Sequence, residues 1–172
     1  YIDNLMEAKK VLVDEASSTL ITVAKDVKVQ VEFNPLKVAS YRLIGYENRR
    51  LNNEDFQDDK KDAGEIGAGH TVTALYEIVP GISKATNLRY QQEPIPSESA
   101  TTDEAALVKV RYKEPDASQS KLLEFVVNSQ PEPFLQASEN LRFASSVAAV
   151  AMLLQDSEHK GSASYDEALE WA

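Results

Sequence analysis

Residues 26–35, DVKVQVEFNP, alternate in character: Val27, Val29, Val31 and Phe33 fall on one parity, Lys28, Gln30 and Glu32 on the other. Side chains of a strand point to opposite faces in turn, so a period of two reads as a strand with one dry and one wet face. A slip of one residue would turn all four apolar side chains into water. The expectation is therefore that these four share a buried face and that Lys28 and Glu32 look outward. Asn34-Pro35 ends the strand, because proline removes a ladder donor, and residues 38–47, VASYRLIGYE, read as an antiparallel return that completes a hairpin.

Working outward, further strands are expected at 71–79, 105–113 and 121–128, with a weaker candidate at 86–91. Residues 93–104 read as an exposed connection and 115–120, PDASQS, as a hairpin tip. Short strands with no helices between them predict antiparallel pairing rather than βαβ units. Before the strands, Ile2, Leu5, Met6, Leu12, Ala16, Leu20, Val23 and Ala24 form a helical stripe over 2–24. After them, Leu141, Ala144, Val147, Ala148, Ala151 and Leu154 mark a helix expected to lie against the sheet, and Ser164 with Glu167 stands at capping-box spacing before a last one. The fold class is mainly β with flanking helices (α+β): a terminal helix over 1–24, an antiparallel, sandwich-like β domain over 25–134 and a helical segment over 135–172 packing on the sheet.

Composition narrows the function classes. The chain has 172 residues, 42% hydrophobic and 27% charged, with a formal net charge of −10. Nucleic acid is excluded as a partner, since neutralising phosphates requires clustered Lys and Arg. The longest strongly apolar run, 143–154, is shorter than the ~20 residues needed to span a bilayer, so no membrane span is expected. Cysteine is absent, which removes disulfides, thiolate metal sites and thiol nucleophiles.

Residues 54–70, EDFQDDKKDAGEIGAGH, carry the densest chemistry, with Glu54, Asp55, Asp58, Asp59, Asp62 and Glu65 against Lys60 and Lys61. Clustered carboxylates supply oxygen ligands for calcium, so Asp55, Asp58, Asp59, Asp62 and Glu65 are the candidate metal ligands. An EF-hand, however, wants acids at alternate positions and glycine at the sixth; counted from Asp58, those places hold Lys60 and Ala63. The bland alternative is a solvated acidic loop with Asp58 and Asp59 exposed. Gly64, Gly67 and Gly69 match neither a dinucleotide fingerprint nor a P-loop and read as positions where the backbone reaches positive φ while the loop folds back to enter a strand at Thr71. His70 with Asp62 is a candidate binding pair, set against a loop-anchor role for His70. No nucleophile stands at motif spacing, and His159 lies in a polar turn. Tyr41, Tyr46, Tyr76, Tyr90 and Tyr112 fall on predicted strands, as packing residues or as a binding face.

The segments AKDVKVQVEFNP (24–35), VASYRLIGYENR (38–49) and DAGEIGAGHTVTALYEIVP (62–80) resemble YfbK-like bacterial proteins with a von Willebrand factor type A domain, in the region carboxy-terminal to that domain. The likeness is strong through Pro80 and looser to Trp171. Residues 1–13, YIDNLMEAKKVLV, look like the end of the type A domain itself. The resemblance implies a non-catalytic accessory module, partnered by the type A domain of its own polypeptide and by other envelope proteins, in a periplasmic or extracellular setting. The family's metal-ion-dependent adhesion motif, D-x-S-x-S, is missing here, so no adhesion-site residue carries over and no cofactor is implied. The alternative is a calcium- or carbohydrate-binding domain using the 54–70 loop.

Overall fold

The computed structural model describes Met6, Lys9 and residues 21–46, 50–83 and 96–172. The strand candidate at 86–91, Tyr90 with it, and all of the expected first helix up to residue 20 except Met6 and Lys9 lie outside the described residues; those two are helical and exposed. The architecture is mainly β with helices at the C-terminal end. Six strands are described, β1 (Thr22–Phe33), β2 (Val38–Ile44), β3 (Gly64–Gly67), β4 (Leu75–Pro80), β5 (Glu104–Lys113) and β6 (Lys121–Asn128), followed by α1 (Glu139–Leu154) and α2 (Tyr165–Trp171). They form a four-stranded sheet of order β3-β1-β5-β6 and a two-stranded sheet β2-β4, with every pairing antiparallel. β6 spans the residues its pattern marked, and β5 extends the expected strand by one residue at its start. β1 starts at Thr22, so Val23 and Ala24 belong to the sheet rather than to the preceding helix.

The expected β1–β2 hairpin does not form. β1 pairs with β3 and β5, and β2 pairs with β4 in the other sheet. The reason lies at Asn34, which is 9% exposed. Its carbonyl accepts from the backbone N–H of Lys37 at 3.0 Å and of Val38 at 2.9 Å, a single helical turn that carries the chain out of the first sheet. Its side chain donates to the carbonyls of Ala100 (2.9 Å) and Glu104 (2.7 Å) and accepts from Leu36 N–H at 2.9 Å. The 96–104 connection is thereby anchored, with Ala100 buried, rather than wholly exposed.

The two sheets meet at Phe33, whose ring lies 4.4 Å from that of Tyr41 and 5.4 Å from that of Tyr76. Tyr46 donates its hydroxyl to the Thr73 carbonyl at 3.0 Å. These tyrosines pack and brace, which is the commoner use of an aromatic with a polar tip. At the C-terminal end Ser138 caps α1 and the Ser164–Glu167 capping box opens α2 with both its bonds at 3.2 Å. The helices close on each other through small residues: Ser146 donates to the Ala168 carbonyl at 2.6 Å, and Ala149 and Ala168 are buried. Leu141, Val147 and Leu154, expected to face the sheet, are exposed; α1 reaches the β2-β4 sheet where Arg42 meets Met152 Sδ at 3.8 Å. Small side chains allow the close approach that decides which face of α1 is used. Among the described residues, no helix is long and apolar enough to cross a membrane.

Candidate functional site: a clamped acidic loop and an open apolar face

Alternation in β1 divides its residues between faces as expected, but the coverage is reversed at Lys28 and Val29. Val29 is 59% exposed and Lys28 is 3% exposed; Glu32 stays exposed, and Val27, Val31 and Phe33 are half-buried. What covers the polar face is the acidic loop. A one-turn 3-10 helix, Asn53–Phe56, lies against β1 with Phe56 buried. Lys28 donates its ammonium to the carbonyl of Asp58, and Gln30 reaches the Asn53 side chain at 3.5 Å. Directly across the ladder from Lys28 stands Arg111, which donates through Nε to Asp59 at 3.3 Å and to Ser120 Oγ at 2.5 Å. Lys113 completes the row, donating at 2.7 Å to both the Asp59 carbonyl and Asp26 Oδ2. Three cations of β1 and β5 thus hold one loop. A long lysine stem suits this burial, since it covers apolar area while its head finds a carbonyl.

The candidate ligands are accordingly dispersed. Asp55 accepts from Asn52 N–H at 3.2 Å and pairs with Lys61 at 3.5 Å. Asp58 is exposed and accepts from Lys60 N–H at 2.8 Å. Asp59, expected to be free in solvent, instead accepts from Ser120 Oγ at 2.6 Å as well as from Arg111. Asp62 and Glu65 are exposed. His70 is exposed and its backbone N–H closes a turn onto the Gly67 carbonyl at 3.1 Å. Among the described residues no three His, Cys, Asp or Glu side chains converge in a way that would hold a metal ion. Gly64 to Gly67 form strand β3 along β1, and of the three glycines expected to take a positive φ only Gly69 does, at +80°.

Asp26, missed in the sequence, is central to the clamp. It takes φ of 50° where β1 bulges between the pairings Lys25–Lys113 and Lys28–Arg111, a backbone region aspartate tolerates better than most residues. Lys113's ammonium holds the Asp26 carboxyl below its ordinary range, against partial burial that pushes it up, and Ala63 N–H adds a further bond at 3.3 Å. Asp59 is lowered first by the Ser120 hydroxyl and then by the Ser120 N–H and Arg111, again against some desolvation. A carboxyl lowered in the native state stabilises the fold fully above the ordinary carboxylate value of ~4 and loses that contribution as pH falls through the lowered native value. The wild-type chain is therefore expected to lose stability more steeply on acidification below pH ~4 than a chain with Asp26→Asn and Asp59→Asn, measured as urea midpoints against pH. Parallel curves for the two would show that the clamp contributes nothing.

The opposite face of the same sheet has no such cover. The register aligns Val29, Val110 and Leu123 in one row, Val31, Val108 and Phe125 in the next, and Phe33, Ala106 and Val127 in the third. The second sheet covers the Phe33 end of this apolar lattice. The β6 side is open along all three rows, with Leu123, Phe125 and Val127 exposed at 44%, 54% and 45%. A signal existed in KLLEFVVN, which is apolar on both parities, the mark of a strand covered on both faces.

A family model described as "Uncharacterized protein YfbK, C-terminal" matches residues 18–172. The chain belongs to this family. An Escherichia coli (strain K12) relative, "Uncharacterized protein YfbK", is 45% identical over 175 residues, a match that takes in 100% of this chain and 30% of the relative. This member of the YfbK C-terminal family therefore spans less than a third of that relative's length. No solved structure matches it.

Proposed function

We propose that this chain is a non-catalytic interaction module that docks, through the apolar face of its four-stranded sheet, onto a further domain of a longer polypeptide. On the resemblance drawn from the sequence, that domain is of von Willebrand factor type A and the assembly sits in the bacterial envelope. The observation that carries the reading is the open part of the β1-β5-β6 lattice, where Val29, Leu123, Phe125 and Val127 are all between 44% and 59% exposed. Contiguous apolar patches beyond a few hundred Å² are uncommon on monomers and mark interaction surfaces. The greater length of the Escherichia coli relative supplies chain for such a partner. Binding of this kind depends on a few central aromatic and aliphatic anchors, and Phe125 lies in the middle row.

The test is calorimetric titration of this chain with the part of the Escherichia coli relative that lies outside the matched region, with and without calcium. Saturable binding is expected, weakened about 100-fold or more by Val29→Glu with Phe125→Glu, as for loss of a hot spot. Both side chains are exposed, so the variant's melting temperature is expected to stay close to that of the parent. Absence of binding, or equal binding by the variant, would sink the proposal.

A further inference from the structure

We infer that the further domain engages β6 not only on its apolar face but along its free edge, by adding a strand to the sheet. This rests on the docking reading above and names how that site is closed. Among the described residues, the order β3-β1-β5-β6 gives the sheet two outer strands, and they differ. β3 is four residues long, carries glycine at both ends and pairs with two register shifts, which are the usual ways of blunting an edge. β6 is twice as long, has no proline or glycine, and pairs with β5 without irregularity from Ala106–Val127 to Tyr112–Lys121. All eight of its residues are exposed. Its charges are Lys121 at one end and Glu124 on the polar face, beside Lys109 in the register. Nothing along it repels an incoming strand.

A long, regularly paired apolar edge that no other described strand joins is a template for another chain, and strand addition supplies main-chain hydrogen bonds for affinity and side-chain alternation for register. The occupant is a segment of the longer polypeptide rather than a second copy. The family relative is more than three times the length of its match to this chain, so a strand donor tethered in the same molecule is present at high effective concentration.

The test is amide hydrogen exchange of residues 121–128, in this chain alone and in its complex with the remaining part of the Escherichia coli relative. Successive amides of a strand point to opposite sides, so every second one already bonds to β5 and the others face the edge. Slowing of those alternate, edge-facing amides by tenfold or more in the complex is the expected result. Binding with no change at these amides would overturn strand addition while leaving face docking intact, whereas no binding would remove both. Protection that appears in this chain alone and rises with its concentration would assign the edge to a second copy and overturn the inference. Glu124→Pro and Phe125→Pro give an independent check. Proline deletes one inward and one outward N–H in the pair, so the variant that keeps a wild-type melting curve is expected to bind at least tenfold more weakly. Undiminished binding by that variant would also overturn the inference.

Discussion

Phe56→Ala is expected to cost about 3–5 kcal/mol, a large part of the ~5–15 kcal/mol that holds a typical domain together. Phe56 is 7% exposed and, among the described residues, is the largest of the buried apolar side chains, the others being Val38 and four alanines. Its turn sits on the face of β1 that presents Lys28 and Gln30, so its ring supplies the apolar part of an otherwise polar contact. Removing it leaves a void that the surrounding backbone cannot fully close, and the lost transfer energy adds to the cavity term. The loss reaches further through the clamp. Once the loop lifts, Lys28 and Lys113 give up the carbonyls of Asp58 and Asp59, and a buried ammonium without an acceptor is costly. Chemical denaturation reads the effect as a fall in midpoint, and Phe56→Leu, which keeps much of the volume, is expected to lose distinctly less. A midpoint shift worth under ~1 kcal/mol for the alanine variant would mean that the loop is not packed on β1.

The fold was legible where the information is local, and obscure where a distant partner decides. Alternation from Val27 to Phe33 found the strand and sorted its faces, and KLLEFVVN marked β6 from end to end. Neither pattern states which face of the sheet is covered. That choice was made by the loop, whose carbonyls and carboxylates happen to satisfy Lys28, Arg111 and Lys113. The expectation of an outward Lys28 failed for this reason, and so did the expectation of a solvated Asp59. β3 was invisible because Gly64-Glu65-Ile66-Gly67 has one strand-forming residue in four; it is a strand only because the bulged edge of β1 offers it a ladder. The acidic loop was recognised as chemically unusual, but the carboxylates of Asp55, Asp58 and Asp59 turn to separate partners. Those of Asp59, Arg111 and Ser120, come from 52 to 61 residues away, beyond the reach of any spacing rule, and they make it a fastener rather than a ligand.

Asn34→Ala is expected to destabilise the chain by about 2–4 kcal/mol, because each buried polar group left without a partner costs roughly 1–3 kcal/mol. The substitution strands the carbonyls of Ala100 and Glu104 and the N–H of Leu36 together. The backbone bond from Asn34 N–H to Ala105 at 2.9 Å and the turn onto Lys37 and Val38 survive it, so the corner is weakened rather than erased. Asn34→Asp separates the two roles of the side chain. An aspartate still accepts from Leu36 and keeps the local turn, but it sets a carboxylate against two carbonyl oxygens where an NH₂ had donated. If the tie to the 96–104 connection is what matters, the aspartate variant is at least as unstable as the alanine one at neutral pH and recovers on acidification, when its carboxyl regains a proton to donate. If only the turn matters, aspartate will be silent and alanine will not. Urea midpoints at pH ~7 and pH ~4 for the three chains decide between these, and a silent aspartate would refute the role given to the side-chain tie between Asn34 and the 96–104 connection.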